Sequence, residues 1–234
     1  MIDALVSWLY RPQCAACGGR DAPFCEPCAG ALEALGPACP RCAEPLPDDT
    51  GDIERTVCAR CLREPLPLER IVAPWRFGGP LASAIRRLKF TGASEVARSL
   101  APLWAPLLAA AAADAVVVPV PLHWRRRLRR GYDHAWLLAR HACVHAGLPR
   151  PVPALRRVRH SPAQSTLPAG KRAANVRAAF EVRAAAAAHI AGRDVILVDD
   201  VVTTGATLAA ASRALLAGGA SSVIGVAIAR AGAQ

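Results

Sequence analysis

Lysine is nearly missing from this 234-residue chain: Lys89 and Lys171 are the only lysines among 29 basic residues, so the formal charge of +11 is carried almost wholly by arginine. A basic excess invites an anionic partner, whether nucleic acid, a phosphate ligand or a membrane surface. Because the chain is also alanine-rich throughout, the bulk charge reads as compositional bias, and what matters is where the arginines cluster. A secretory opening is absent as well: "MIDALVSWLYRPQ" has no basic n-region and meets Arg11 and Pro12 before an apolar core is complete. The longest apolar stretch, "APLWAPLLAAAAADAVVVPV" (101–120), is broken by Pro102, Pro106, Asp114 and Pro119 and turns β-branched in its second half. It therefore reads as a buried helix followed by a buried strand, not as a membrane span. No Walker A pattern occurs, so an NTPase is not indicated. These absences predict a soluble, cytoplasmic protein without membrane insertion. A hydrophobic content of 53% with 20% charged residues excludes a disordered chain, while length alone does not separate one domain from two.

Cysteine, by contrast, is plentiful and patterned. Eight of the nine cysteines form C-x-x-C pairs: Cys14/Cys17, Cys25/Cys28, Cys39/Cys42 and Cys58/Cys61, separated by 7, 10 and 15 residues. A pair at this spacing can face one tetrahedral zinc ion, and two pairs complete a four-thiolate site. A reducing compartment disfavours disulfides, and catalytic dithiols rarely come four to a chain. Sequence leaves three pairings of the knuckles open; the simplest joins neighbours, with Cys14, Cys17, Cys25 and Cys28 on one Zn2+ and Cys39, Cys42, Cys58 and Cys61 on another. With every position a protein thiolate, no place remains for water or substrate, so the zinc is structural and holds together a module with little core of its own. Glycine often follows the second cysteine of such a knuckle. Here only Cys17 has it (Gly18), while Cys28, Cys42 and Cys61 precede Ala29, Ala43 and Leu62.

From about Glu64 the texture changes. "REPLPLER" (63–70) punctuates the end of the cysteine region. Beyond it, strand-like runs alternate with helical patterns, as in an α/β domain with a mostly parallel sheet. The division expected is therefore 1–63 and 64–234. Within the second part, "VILVDDVVTTGATL" (195–208) carries the chemistry. Val195 to Val198 lack polar alternation and read as a strand covered on both faces. Asp199 and Asp200 then fall at its carboxyl end, where open α/β sheets bind ligands. Thr203, Thr204, Gly205, Ala206 and Thr207 form a strand-to-helix turn whose backbone N–H groups and helix dipole suit an anion, and the helix ends at Gly218 and Gly219. Carboxylates beside a bound phosphate would repel it unless they face hydroxyls of the same ligand or a bridging Mg2+. A ribose 5-phosphate group meets both demands.

"VILVDDVVTTGAT" resembles the phosphoribosyl-diphosphate (PRPP) signature of type I phosphoribosyltransferases. Taken with the four knuckles, "LKFTG" (88–92), "VPVPLHWRRRLRRGYDHA" (118–135) and "SPAQSTLPAGKRAANVRAAF" (161–180), the chain is similar to the ComF family. Its members join a double zinc ribbon to a phosphoribosyltransferase domain and are implicated in competence for DNA uptake. The resemblance implies a type I phosphoribosyltransferase-like fold, a mostly parallel sheet with helices on both faces. It further implies that Asp199 and Asp200 bind the ribose hydroxyls, that Thr203 to Thr207 bind the 5′-phosphate, and that Arg130 and Gly131 stand in the pyrophosphate loop. Gln164, Leu167, Arg172 and Asn175 fall on positions of a loop that closes over the site in relatives, with Arg172 a catalytic candidate. Such closure would exclude water while an oxocarbenium-like ribosyl centre forms and pyrophosphate leaves.

Arg125 to Arg127, Arg129 and Arg130 suit a diphosphate ligand, since guanidinium forks pair with phosphate oxygens. After the aromatic Tyr132 the family usually continues Asn-Gln; this chain has Asp133 and His134, and an extra acid there opposes a pyrophosphate. Trp124 and Tyr132 flank the arginines, and "RRVRH" (156–160) adds more basic residues. An aromatic between basic residues can stack a base, and the family's role in DNA uptake is what chiefly implies single-stranded DNA as a candidate partner. His141 and His145 read as helix surface, Cys143 as a small buried hydrophobe, and Lys89 as solvated charge on an amphipathic helix. A variable hood over the acceptor is expected around 68–92. Three functions stay open: transfer of a phosphoribosyl group to an unread acceptor, PRPP-gated handling of single-stranded DNA alongside other competence proteins, and PRPP sensing without turnover.

Overall fold

The computed structural model describes residues 13–20, 22–53, 55–91, 94–111, 114–123, 128, 131–158 and 179–232. Its helices are α1 (Glu26–Gly30), α2 (Ala59–Arg63), α3 (Gly79–Phe90), α4 (Val96–Ala111), α5 (His134–His145), α6 (Ala187–Ile190) and α7 (Ala206–Ala217). The strands are β1 (Ile71–Val72), β2 (Trp75–Arg76), β3 (Val116–Pro119), β4 (Leu155–Arg157), β5 (Phe180–Val182), β6 (Asp194–Val202) and β7 (Ser222–Arg230). β1 and β2 pair in succession with β7, β7 with β6, and β6 with β3, all in parallel. β4 and β5 form a separate antiparallel pair.

The central strands owe their place to residues that bury both faces. Along β6, Val195 and Leu197 enter one core, while Ile196 and Val198 enter the other. β7 divides likewise, Val223 and Ala227 against Ile224, Val226 and Ile228. Alternation of this kind follows from the period-two pleat, and fully burying each such side chain contributes about 1.5–3 kcal/mol. The first face is covered by α7 and the β4–β5 hairpin, and the second by α3, α4 and α5. The described part of the apolar run at 101–120 contains the end of α4 and the strand β3. α7 begins after Gly205, whose φ of +76° is left-handed, and stops at Gly218.

The cysteine region is built into this architecture and shares its core. Leu35 donates its N–H to Pro74 at 2.8 Å and Arg76 donates to Glu33 at 2.8 Å, with an antiparallel bridge between Ala34 and Trp75. Residues 33–35 thus cover the open edge of the sheet, where unpaired backbone groups would otherwise invite another chain. Cys14, Ala15 and Ala16 join the core of the helical face, while Leu35 and Ala43 join the opposite one. The two halves of the cysteine region therefore straddle the sheet edge. The region's apolar residues are shared with the sheet, leaving only a small separate cluster of Cys39, Cys42 and Cys61 with Val57, Cys58 and Leu66 packed against it. The hood expected at 68–92 is corrected: β1 and β2 are edge strands of the main sheet, because their backbones pair with β7, and only α3 lies over a face. Among the described residues, no helix is long and apolar enough to cross a membrane.

Candidate functional site

β6 runs on past the acids, with Asp199 opposite Ala227 and Val202 opposite Arg230. Asp199 and Asp200 consequently lie inside the second half of the strand, not beyond its end, because pairing with β7 persists to the final residue. Successive side chains on a strand point to opposite faces. Asp200 is buried at 3% exposure, while Asp199 is half-buried, and its Oδ1 accepts the Asp200 N–H at 2.9 Å. The chain then turns through Thr203 and Thr204 to Gly205 and enters α7. Thr204 Oγ1 accepts from the Ala206 N–H at 3.4 Å, near the limit of a hydrogen bond, and Gly205 is packed against Ile71 and Leu66. A Cβ on Gly205 would lie 3.0 Å from Ile71 Cδ1, so both the positive φ and the close approach require glycine.

Two partners of the acids escaped sequence reading. Lys89, near the end of α3, makes an ion pair with Asp200 Oδ2, and His134, at the start of α5, places Nε2 3.7 Å from the same oxygen. Lys89 is thus no solvated charge: burial of Asp200 demands a cation, and α3 delivers one across the sheet face. The signal was available in "LKF", where one of only two lysines in an arginine-rich chain follows a buried leucine. Burial works against the Asp200 charge, but His134 and Lys89 outweigh it and hold this carboxyl well below the usual range. For Asp199, burial and the neighbouring Asp200 carboxylate push the carboxyl up to about 8. The strand therefore presents two unequal acids, one fixed as an anion and one disposed to hold a proton or meet a cation.

Lys89, His134, Asp199, Asp200 and Thr207 line a cavity of about 170 Å³, together with Val120, Pro121, Leu122 and Arg157. Asp133 is not part of that lining; it lines the larger neighbouring cavity. Its carboxylate accepts from the Trp136 N–H at 3.3 Å, capping α5, and from the Leu122 N–H at 3.2 Å. The acid expected to oppose a pyrophosphate also ties β3's outgoing loop to a helix N-terminus, a common task for Asp. Gly131, at φ +78°, lines a neighbouring cavity of about 560 Å³ with Trp136, Arg156, Arg157 and Arg183. The two cavities share Pro121, Leu122 and Arg157. Arg130 and Arg172 lie outside the described residues, as do Trp124, Arg125 to Arg127, Arg129, Gln164, Leu167 and Asn175. His141 and His145 sit towards the outside of α5, and Cys143 is buried, its thiol pushed up to about 11 by burial.

The cysteines assemble as neighbours. Cys14, Cys17, Cys25 and Cys28 bring their sulfurs within 4.8 Å of one another, and so do Cys39, Cys42, Cys58 and Cys61. Four thiols at this separation match tetrahedral zinc, and the closed donor set fits a structural ion. Local backbone favours the thiolate at one cysteine of each site, while burial pushes Cys28, Cys42 and Cys61 up. Burial opposes ionisation of Cys14, yet N–H groups of Cys17, Cys25 and Ala16 bring it down to about 6. The same competition brings Cys39 down to about 7 through N–H groups of Cys58, Arg41 and Cys42. Gly18 and Ala43, each following a knuckle, adopt φ of +78° and +56°. Ala43 therefore takes the left-handed conformation that sequence convention reserves for glycine.

Comparison with known proteins agrees with this geometry. A double zinc ribbon domain model matches residues 5–69, and a phosphoribosyl transferase domain model matches residues 129–234. The chain is 33% identical over 206 residues to DNA utilization protein YhgH of Salmonella typhimurium, covering 86% of this chain and 87% of that one. It is 33% identical over 168 residues to Competence protein F of Haemophilus influenzae, across 68% of this chain and 71% of the relative. With Competence protein ComFC of Bacillus subtilis it shares 28% over 205 residues, 84% of this chain and 79% of the relative. The chain belongs to the ComF family, a double zinc ribbon joined to a phosphoribosyltransferase domain.

Proposed function

We propose that this chain binds Mg2+-PRPP and transfers or senses 5-phosphoribosyl groups in a DNA-uptake context, as a zinc-ribbon part (1–63) joined to a phosphoribosyltransferase part (64–234). One observation carries the reading: Asp199 and Asp200 line the same cavity as Thr207, at the mouth of the turn that opens α7. In this assignment the 5′-phosphate takes the N–H groups of 203–207, with helix dipole and hydroxyls assisting, and the ribose hydroxyls face the acids. Arg130 and Gly131 would hold the pyrophosphate, and Arg172 would act from the closing loop. Hard oxygen donors suit Mg2+. Asp200 already has Lys89 and His134 beside it, so Asp199 is the carboxylate with capacity left for the ion or a hydroxyl. Mg2+ when bound would neutralise diphosphate charge; the chain's own acids orient the sugar. Lys89 keeps Asp200 ionised before the ligand arrives.

The neighbouring basic cavity favours a second reading, single-stranded nucleic acid held by Arg156, Arg157 and Arg183 beside Trp136. Phosphorus NMR of PRPP with Mg2+ separates these readings. Resonances that broaden with the wild-type chain and recover with Asp200→Asn support the ligand assignment. Pyrophosphate released only when nucleobases or an oligonucleotide are added establishes transfer. Unperturbed PRPP, with oligonucleotide binding that falls steeply with salt, would replace the first reading by the second.

A further inference from the structure

The second cysteine site reaches the anion turn directly. Arg60 lies on α2 between Cys58 and Cys61, and its Nη1 donates to the Thr204 carbonyl at 2.6 Å across 144 residues of sequence. Glu44 stands 4.0 Å from Arg60 and also pairs with Arg230, a buried residue at the end of β7 that donates to the Cys42 carbonyl at 2.9 Å. The guanidinium is thus fixed from the zinc-ligand side before it meets the turn.

A trans peptide explains why this contact bears on ligand binding. Thr204 C=O and Gly205 N–H belong to one planar unit and point in opposite directions. A charged donor holding the carbonyl on one side therefore aims the Gly205 N–H to the side away from Arg60. Gly205, at φ +76°, would otherwise be the freest joint in the turn, since glycine samples both signs of φ. Resting on the phosphate assignment made above, we propose that Arg60 is a positioning residue of the anion-binding turn, through which the second zinc site fixes the peptide that presents the Gly205 N–H. The first site has no such role: its link to the sheet runs from Arg87 to the Cys14 and Ala15 carbonyls, on the opposite face.

The test uses the full chain with both zincs and ribose 5-phosphate as probe. Arg60→Met should keep two zincs per chain, weaken ribose 5-phosphate binding by about tenfold or more, and move the Thr204 carbonyl carbon resonance, as loss of a charged hydrogen bond requires. Arg60→Lys, which retains a charged donor, should recover most of the affinity, and Arg63→Met, exposed on the same helix, should change neither readout. If Arg60→Met sheds its second zinc, Arg60→Gln is read in its place with the same loss expected. Unchanged affinity and an unmoved Thr204 resonance in the zinc-loaded variant would overturn the proposal. If the wild-type chain itself fails to bind ribose 5-phosphate, the phosphate assignment falls. The Thr204 resonance then decides alone whether Arg60 fixes the turn.

Discussion

Two cysteine sites with the same donors and the same C-x-x-C spacing within each knuckle sit in different surroundings. At the first, Cys14 is buried, Cys17 is exposed, and Cys25 and Cys28 are half-buried. At the second, Cys39, Cys42 and Cys61 are all buried and Cys58 half-buried, with Arg60, Glu44 and Arg230 forming a charged frame around them. The first pins α3 through Arg87, the helix that also carries Lys89 to Asp200. The second abuts the turn after the acids. Ligand chemistry alone would make the sites interchangeable; burial and charged neighbours set one against the helical face and the other against the turn after β6.

The largest break in this comparison comes from removing ligands. A structural zinc contributes on the order of 10 kcal/mol, about as much as a whole domain's net stability. The pair Cys58→Ser and Cys61→Ser should abolish both the second zinc and ribose 5-phosphate binding, with circular dichroism showing loss of the native fold. Cys17→Ser with Cys28→Ser should lose the first zinc and weaken ligand binding less than the second pair does, because the first site reaches the acids only through α3. Equal loss of affinity in both would erase the distinction. Milder treatment should sharpen it: alkylation followed by mass spectrometry is expected to label Cys17 first, because reactivity follows access, and to release the first zinc about tenfold faster than the second.

Next in size is a pH effect beside the turn. Asp199 is pushed up to about 8, so between its ordinary 3.8 and that value the folded chain holds a proton that the unfolded chain has released. Stability then falls as pH rises through this window. Asp199→Asn should melt higher than wild type at pH 8 and level with it near pH 4. A constant difference at both pH values would show that the shift is not the cause. Smallest is the exchange of knuckle residues. Gly18 and Ala43 share a left-handed backbone, which costs about 1 kcal/mol for a residue with a Cβ. Gly18→Ala should destabilise by about that amount, and Ala43→Gly should gain it, less the packing of a buried methyl.

Much of this was legible in sequence because it rests on local pattern. The knuckles, the four-residue apolar run Val195–Val198 and the Gly205 turn each announce themselves within a dozen residues. Lys89, Asp133 and Arg60 did not, since their meaning depends on contacts across the fold. A lysine on an amphipathic helix looks solvated until the sheet places Asp200 beneath it. An aspartate after an arginine cluster looks like a misplaced charge until it caps α5. Arg60 sits between two zinc ligands, and nothing in sequence joins it to a carbonyl 144 residues away.

The central claim is that the turn after β6 receives the phosphate of a phosphoribosyl ligand. The most direct test is a proton–nitrogen correlation spectrum of the zinc-loaded chain, selectively labelled at glycine, titrated with PRPP and Mg2+. The Gly205 amide should shift strongly, with Gly131 following, and glycines far from the turn, such as Gly36 and Gly147, should stay in place. A titration that leaves Gly205 unmoved, whatever else responds, would contradict the assignment.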